Sequence, residues 1–101
     1  EHKLLPEKFK SNRNIVATNV CLTKCGNFVV IGYNNGHVER FNIQSGLHRA
    51  SYGTDKGAHQ GPVRGVMVEF LNQIVITAGR DAFIKFWSFK PKIGKKNSCI
   101  S

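Results

Sequence analysis

The sequence has few acidic residues and no long apolar run. Only 6 of its 101 residues are Asp or Glu, against 15 Lys or Arg, so the formal net charge is +9. No apolar stretch approaches the roughly 20 residues that a membrane-spanning helix needs, and residues 1–6 lack the apolar segment of a signal peptide. We therefore expect an intracellular protein with no membrane partner, and the excess of positive charge favours an acidic partner.

Cysteine is also scarce. Cys21 and Cys25 are four residues apart with no second Cys or His pair, and Cys99 is isolated. A structural zinc site needs four ligands, usually supplied as two pairs. We expect no bound metal and no cofactor, and three reduced thiols fit an intracellular protein.

The central part of the chain alternates short β-branched stretches with turn signals. Val20 and Leu22, like Val66 and Val68, repeat at a period of two, which predicts half-buried strands. Residues 28–31 are continuously apolar, which predicts a strand buried on both faces. No segment of helical length has a 3.6-residue period. The sequence predicts an all-β fold, with strands at residues 15–22, 28–33, 37–43, 47–53, 63–69, 74–78 and 83–89.

The two halves of this region repeat each other. A shift of 46 positions aligns them without a gap and superimposes Val20 on Val66 and Phe41 on Trp87. A repeat of about this length with several strands per unit is typical of the blades of a β-propeller. We expect two adjacent four-stranded blades of an incomplete propeller, although the fourth strand of the second blade is weak or missing. The predicted divisions are a basic flank or the end of a preceding blade, a first repeat, a second repeat, and a basic tail or the start of a next strand, at residues 1–14, 15–57, 58–89 and 90–101.

The positive charge is concentrated in the two flanks. Residues 1–14 carry a net charge of +2 and residues 90–101 a net charge of +4, which leaves +3 for the repeats. Both flanks are expected to be poorly ordered. The charge is therefore weaker evidence for nucleic-acid binding than the total of +9 suggests.

Four residues of the second repeat form the most suggestive polar set, His59, Thr77, Asp81 and Trp87. An imidazole, a hydroxyl and a carboxylate are the groups of a hydrolase triad. Their positions in loop, strand, turn and strand instead predict a buried network at one end of a blade, which satisfies polar groups that are costly to bury. No nucleophile elbow accompanies them. We expect a structural role and no catalytic residue.

The same residues resemble a WD repeat. Ala58-His59 stands where the repeat usually has Gly-His, Asp81 is in the turn, and Trp87-Ser88 stands where it usually has Trp-Asp. The first repeat departs further from the pattern, so we expect apolar packing to hold it. At the positions of His59, Thr77, Asp81 and Trp87 it has Arg13, Ile31, Asn35 and Phe41.

A narrower resemblance covers about residues 20–90. Its most specific part is Gln44-Ser45-Gly46-Leu47-His48-Arg49 followed by Ala58-His59 and Val63-Arg64-Gly65-Val66, and Lys85-Phe86-Trp87-Ser88-Phe89-Lys90 also belongs to it. With these segments the chain is similar to the U3 small nucleolar RNA-associated WD-repeat proteins of the small-subunit processome, the WD repeat-containing protein thirty-six family. The resemblance implies a non-catalytic scaffold that is located in the nucleus, in the nucleolus. It also implies that this scaffold supports 18S pre-ribosomal RNA processing. It implies other WD-repeat subunits, U3 small nucleolar RNA and pre-ribosomal RNA as partners, and no small-molecule substrate.

Several basic residues are candidate contacts to a partner or to RNA. Lys56, Arg64 and Arg80 are predicted to lie near the end of the blade that carries His59, and the tail resembles both an import signal and a solvated run of charge. Two alternatives stay open: a module that binds nucleic acid directly through its basic surface, and an adaptor in another nuclear complex. The tail candidates are Lys90, Lys92, Lys95 and Lys96.

Overall fold

The computed structural model describes residues 4–12, 14–23, 26–69 and 73–90, and within them the chain forms seven strands in two antiparallel sheets. Sheet 1 contains four strands that are neighbours in chain order, β1 (Ala17–Leu22), β2 (Phe28–Tyr33), β3 (Val38–Asn42) and β4 (His48–Tyr52). Sheet 2 contains β5 (Val63–Glu69), β6 (Ile74–Gly79) and β7 (Ile84–Ser88). The predicted all-β fold is confirmed. The fourth strand of sheet 2 was expected to be weak or missing, and residues 91–101, where it would follow β7, lie outside the described residues.

The backbone register repeats with the period found in the sequence. Val20 of β1 is opposite Ile31 of β2, and Val66 of β5 is opposite Thr77 of β6. Both inner strands also carry an irregularity at the same place, between Ala17 and Asn19 in β1 and between Val63 and Gly65 in β5. The 46-residue repeat is therefore a repeat of hydrogen-bond register as well as of residue type.

Each sheet has two faces, which we call front and back. The front face carries Phe41 in sheet 1 and Trp87 in sheet 2, and the back face carries Val30 and Ile76 at equivalent positions. The front of sheet 2 packs on the back of sheet 1 and forms a continuous apolar core. Burying one such apolar side chain contributes roughly 1.5–3 kcal/mol, so this core holds the two sheets together. It contains Val30, Val38, Ala50, Tyr52, Ala58, Val63, Val75, Trp87 and Phe89.

A buried arginine joins the two sheets inside this core. The Arg40 guanidinium lies between the rings of Phe28 and Phe89, with its Cζ 4.9 and 4.4 Å from the two ring centroids. Its Nη1 donates to the Phe89 carbonyl at 2.8 Å, and the Tyr52 hydroxyl donates to the same carbonyl at 2.7 Å. Burial lowers the pKa of Arg40. These contacts fix the end of β7 against β3 and β4.

A second core covers the front of sheet 1, where the N-terminal segment packs. Leu5 joins Val29, Ile31, Tyr33 and Phe41 in this core. The Tyr33 hydroxyl donates to the Leu4 carbonyl at 2.6 Å. The expectation that residues 1–14 are poorly ordered is thus wrong for residues 4–12, because their apolar side chains cover a sheet face that would otherwise be exposed to solvent.

The segment does not cover the inner strand of sheet 1. Val20 and Leu22 were predicted to be half-buried, and the structure leaves both exposed. The reason is that residues 4–12 cover β2 and β3, whereas the equivalent positions in sheet 2, Val66 and Val68, pack against sheet 1.

Among the described residues, no helix has the length and apolar character that would let it cross a membrane.

Candidate functional site

The structure brings His59, Thr77, Asp81 and Trp87 together in one chain of hydrogen bonds. His59 Nδ1 lies 3.0 and 3.3 Å from the two carboxylate oxygens of Asp81, and His59 Nε2 lies 2.7 Å from Thr77 Oγ1. Trp87 Nε1 lies 2.9 Å from the same hydroxyl oxygen. The four side chains come from the loop before β5, from β6, from the β6–β7 turn and from β7.

The direction of two of these hydrogen bonds follows from the donors available. An indole N–H can only donate, so Trp87 donates to Thr77 Oγ1. A carboxylate can only accept, so His59 Nδ1–H donates to Asp81. The His59 imidazole therefore links a buried hydroxyl and indole to a carboxylate.

Asp81 also holds the turn that carries it. Its Oδ2 accepts from the Gln60 backbone N–H at 3.0 Å, and its Oδ1 accepts from the Phe83 backbone N–H at 3.2 Å. Burial works to raise the pKa of the carboxyl, but these backbone hydrogen bonds and the contact with His59 outweigh it, so the pKa of Asp81 is lowered. The carboxylate thus ties the loop before β5 to the β6–β7 turn.

Two glycines make room for the histidine loop; both lie in turn signals of the sequence, which do not indicate their contact with His59. A Cβ on Gly79 would lie 2.5 Å from Cγ of His59, and a Cβ on Gly36 would collide with the His59 carbonyl oxygen. Gly36 also has a φ of +87°, which favours glycine. Its carbonyl accepts from the backbone N–H groups of Ala58 and His59, each at 3.0 Å. The sequence signal for Gly79 is its difference from the first repeat, which has the large residue Tyr33 at the equivalent position.

The network leaves little scope for chemistry. Thr77 is 0% exposed, and its hydroxyl already accepts from Trp87 and is hydrogen-bonded to His59. A nucleophile must reach its substrate, and this oxygen faces the core between the two sheets. Among the described residues, no group of three or more His, Cys, Asp or Glu is placed to hold a metal ion.

A second polar cluster lies on sheet 1 and includes a serine, a histidine and a glutamate. Glu39 Oε1 accepts from Ser51 Oγ at 2.8 Å and lies 3.2 Å from His48 Nε2 and 3.3 Å from Lys8 Nζ. Ser51 Oγ also lies 3.3 Å from His48 Nε2. A catalytic triad uses both ring nitrogens, one for the nucleophile and one for the acid. Here the serine and the acid share a single nitrogen, so the cluster lacks that arrangement.

The basic candidates fall at opposite ends of the sheets. Arg64 and Arg80 are exposed beside the His59 loop, where the Arg80 backbone N–H donates to the Pro62 carbonyl at 3.0 Å. Lys56 is exposed earlier in the same β4–β5 loop. Lys90 is exposed just beyond β7, at the other end of sheet 2, so the structure does not bring it together with the first three. Lys92, Lys95 and Lys96 lie outside the described residues.

Solved structures share this arrangement of sheets. The crystal structure of the Myceliophteria thermophila Cps50 (Swd1) β-propeller domain matches with a TM-score of 0.69 at 13% identity, over 84% of this chain and 26% of that one. A chain in the crystal structure of the Mitotic Checkpoint Complex matches with a TM-score of 0.67 at 17% identity, over 77% of this chain and 22% of that one. These likenesses confirm the predicted fold class, an open and incomplete β-propeller.

Two curated relatives are similar in sequence. WD repeat-containing protein 36 of Homo sapiens is 51% identical over 90 residues, which cover 89% of this chain and 10% of the relative. The U3 small nucleolar RNA-associated protein 21 homolog of Schizosaccharomyces pombe is 43% identical over 70 residues, which cover 69% of this chain and 8% of the relative. This chain thus spans about a tenth of the length of these relatives.

The family described as the WDR36/Utp21 second beta-propeller domain matches residues 1–100. The match extends the resemblance inferred from the motifs to nearly the whole chain, and it names the propeller. The chain belongs to the WDR36/Utp21 second β-propeller domain family.

Proposed function

We propose that this chain supplies two adjacent blades of a non-catalytic scaffold in the small-subunit processome, which acts in the nucleolus and supports 18S pre-ribosomal RNA processing. The observation that carries the proposal is the family match over residues 1–100, together with relatives that are named as U3 small nucleolar RNA-associated proteins. We propose that the chain is divided into two repeats at residues 15–57 and 58–89, as the sequence predicts.

The polar network supports a structural role for the blade. Each of its groups is used by another group in the chain from Trp87 through Thr77 and His59 to Asp81. Removing one member would leave a buried partner unsatisfied, which costs about 1–3 kcal/mol. We propose that the network fixes the loops at this end of the blade, so that they present a rigid surface to other WD-repeat subunits of the complex.

A chimera tests the scaffold proposal. The matching 90-residue segment of human WD repeat-containing protein 36 is replaced by that of this chain, and the tagged full-length chimera is purified from human cells. We expect U3 small nucleolar RNA and processome subunits to co-purify in equal amounts with the chimera and with the unaltered human protein, which is purified in parallel. A folded chimera that recovers neither contradicts the proposal, and recovery of an unrelated nuclear complex favours the adaptor alternative.

The alternative function is direct binding of nucleic acid. It is favoured by the exposed cations at the end of sheet 2 that carries His59, namely Lys56, Arg64 and Arg80. Phosphate contacts make affinity fall with salt, by roughly 0.7–0.9 of a unit in the log–log slope for each phosphate neutralised. A slope for single-stranded RNA that stays near zero contradicts direct binding.

Charge reversal locates these contacts. Arg64→Glu and Arg80→Glu are each expected to reduce the salt slope by roughly one unit if the arginine touches a phosphate. Arg49→Glu is the matched control, because Arg49 is exposed on β4 and outside the proposed surface. Equal losses from all three variants would indicate attraction by net charge rather than a defined surface.

A further inference from the structure

An exposed aromatic ring lies among the basic candidates at the end of sheet 2 that carries His59. Phe83 stands just before β7 and is 62% exposed. The Nζ atom of Lys85 lies 5.7 Å from the centroid of this ring and donates to the Ala58 carbonyl at 2.7 Å. The ring is therefore beside the loop before β5, on the side of sheet 2 that faces sheet 1. Both blades that flank this side belong to the chain, so the exposure of Phe83 is not that of a sheet face left open.

The equivalent ring in sheet 1 is covered by a second ring. A shift of 46 positions places Phe83 on His37, which is only 8% exposed. The ring of Phe9 packs edge-to-face on His37, with the centroids 4.7 Å apart and an interplanar angle of 81°. Among the described residues, no such ring covers Phe83. This position of the blade thus takes an aromatic partner in sheet 1 and leaves room for one in sheet 2.

The charge beside the ring is reversed between the two sheets. In sheet 1, Glu39 follows two residues after the covered ring, and its Oε1 lies 3.3 Å from Lys8 Nζ. The segment that supplies Lys8 also supplies Phe9, so sheet 1 receives an aromatic ring together with a cation. In sheet 2, Lys85 stands at the position of Glu39. The matching ligand for sheet 2 combines an aromatic ring with an anion, and a nucleotide of RNA has both.

Further cations surround the exposed ring. Arg80 belongs to the same turn, and its backbone N–H donates to the Pro62 carbonyl, which brings the start of β5 and the exposed Arg64 close to that turn. Of the carboxylates at this end, Asp55 is exposed, whereas that of Asp81 already accepts hydrogen bonds from its own turn and from the loop before β5. The balance of charge favours an anionic ligand. The cations at this end are Lys56, Arg64, Arg80 and Lys85.

The turn presents the ring rigidly and with backbone strain. Ala82 has a φ of +70°, in the left-handed region that favours glycine, and its equivalent in sheet 1 is Gly36, with a φ of +87°. The Ala82 backbone N–H donates to the Gly79 carbonyl at 3.1 Å, and the Gly79 N–H donates to the Phe83 carbonyl at 3.2 Å. Strained non-glycine residues cluster at functional sites. A ring that is already fixed loses little freedom when a ligand binds, which favours affinity.

We propose that Phe83 stacks on a base of single-stranded RNA and that Arg64 and Arg80 contact the neighbouring phosphates. The proposal rests on the alternative function, direct binding of nucleic acid, and names its ligand as an unpaired strand. A base in a duplex is covered on both faces by its neighbours, whereas an unpaired base is free to stack on an aromatic side chain. Every base has an aromatic face, so this contact holds a strand without reading its sequence.

The test measures how the purified full-length chimera of human WD repeat-containing protein 36 binds a short labelled oligouridine. Phe83→Leu keeps an apolar side chain but removes the ring, so it should weaken binding by about fivefold or more. The log–log salt slope should not change, because no phosphate contact is removed. Phe83→Trp keeps a ring and should bind at least as tightly as the unaltered chimera. Leu47→Ala is the matched control, because Leu47 is 58% exposed between β3 and β4, at the other end of sheet 1, and it should have no effect.

Ultraviolet crosslinking of the bound oligouridine locates the contact. Trypsin cuts after Arg80 and Lys85, so the peptide of residues 81–85 contains Phe83 as its single aromatic residue. We expect mass spectrometry to find a uridine adduct on this ring. A chimera that binds the oligouridine without an adduct on this peptide overturns the proposal, as does Phe83→Leu binding as tightly as the unaltered chimera.

The outcomes separate the stacking site from the functions proposed for the chain. If Arg80→Glu lowers the salt slope and Phe83→Leu changes nothing, direct binding stands and the stacking site is wrong. If Phe83→Leu loses processome subunits but keeps the oligouridine, the ring contacts a protein instead, which also overturns the proposal. A chimera that binds no oligouridine contradicts both the stacking site and direct binding. The scaffold is judged separately, by the recovery of U3 RNA and processome subunits.

Discussion

The two sheets share one register but fill their front faces with different chemistry. In sheet 2, the front is crossed by the hydrogen-bonded chain from Trp87 to Asp81. In sheet 1, Phe41 and Ile31 stand at the positions of Trp87 and Thr77, and both are buried in an apolar core. The comparison shows that the backbone of a blade does not depend on the polar network, since the same strand pairing forms with and without it.

The replacements between the sheets are coupled. In sheet 2 the imidazole of His59 lies against Gly79, where there is no room for a Cβ. In sheet 1 the equivalent of Gly79 is Tyr33, a buried residue whose hydroxyl donates to the Leu4 carbonyl. A large side chain on the strand thus accompanies the loss of the histidine from the loop. The two blades therefore fill the equivalent position differently, one with a histidine from the loop and the other with a tyrosine from the strand.

The turn between the second and third strands is the part that both sheets keep polar. Asn35 Oδ1 accepts from the His37 backbone N–H at 3.2 Å, and Asp81 Oδ1 accepts from the Phe83 backbone N–H at the same distance. An amide is sufficient for this turn. Only the carboxylate also receives the histidine proton, so the charge at position 81 belongs to the network rather than to the turn.

The largest effect is expected from removing the indole. Trp87→Ala creates a cavity between the sheets and should cost about 3–5 kcal/mol, which is enough to unfold much of a marginally stable chain. Trp87→Phe, which installs the residue found at the equivalent Phe41, should recover most of that loss. Urea denaturation followed by circular dichroism measures both. If the phenylalanine is as damaging as the alanine, the equivalence of the two sheets is wrong.

The next effect separates the hydroxyl from the packing. Thr77→Val preserves shape but leaves Trp87 Nε1 without its acceptor and His59 Nε2 without its hydrogen-bond partner, which should cost about 1–3 kcal/mol. Ile31→Val is the matched change in sheet 1, and the loss of one methylene there should cost about 0.5–1.5 kcal/mol. Equal losses in chemical denaturation would mean that the network adds nothing beyond apolar packing.

The smallest effect concerns acid. The folded-state pKa of Asp81 is lowered relative to the unfolded chain, so its stabilisation is complete above about pH 4 and is lost as the pH falls through the folded-state pKa. Asp81→Asn should cost about 1 kcal/mol near neutral pH and should flatten the acid limb of a stability–pH curve. Asp55→Asn, at an exposed carboxylate of the β4–β5 loop, is the control and should keep the limb. An unchanged limb in Asp81→Asn contradicts this assignment.

Much of the backbone could be predicted from the sequence, because short alternating strands and turn signals report local preferences directly. The predicted strands at residues 28–33 and 63–69 have the same bounds as β2 and β5. The 46-residue shift also predicts that the two sheets share one hydrogen-bond register. Residues 4–12 were misjudged, since their charge suggested a solvated flank while Leu5 packs on a sheet face supplied by distant strands.

The burial of charge could not be predicted either. Glu39 and Arg40 are adjacent on β3 and point to opposite faces, and both are buried because both faces of sheet 1 are covered. Glu39 Oε2 and Arg40 Nε have no hydrogen-bond partner among the described residues. Which propeller the blades belong to was also beyond the sequence, because WD repeats share their pattern. The family match supplies that answer, the second propeller.

The most direct test of the central claim, that the buried network holds a scaffold rather than performing a reaction, is the chimera of human WD repeat-containing protein 36 carrying Thr77→Val. Two quantities are measured, the amount of mature 18S RNA that the cells make and the amount of folded chimera that is associated with U3 RNA, and the first is divided by the second. We expect this ratio to be unchanged and only the amount of folded protein to fall. A folded chimera that still binds U3 RNA but no longer supports 18S production would contradict it.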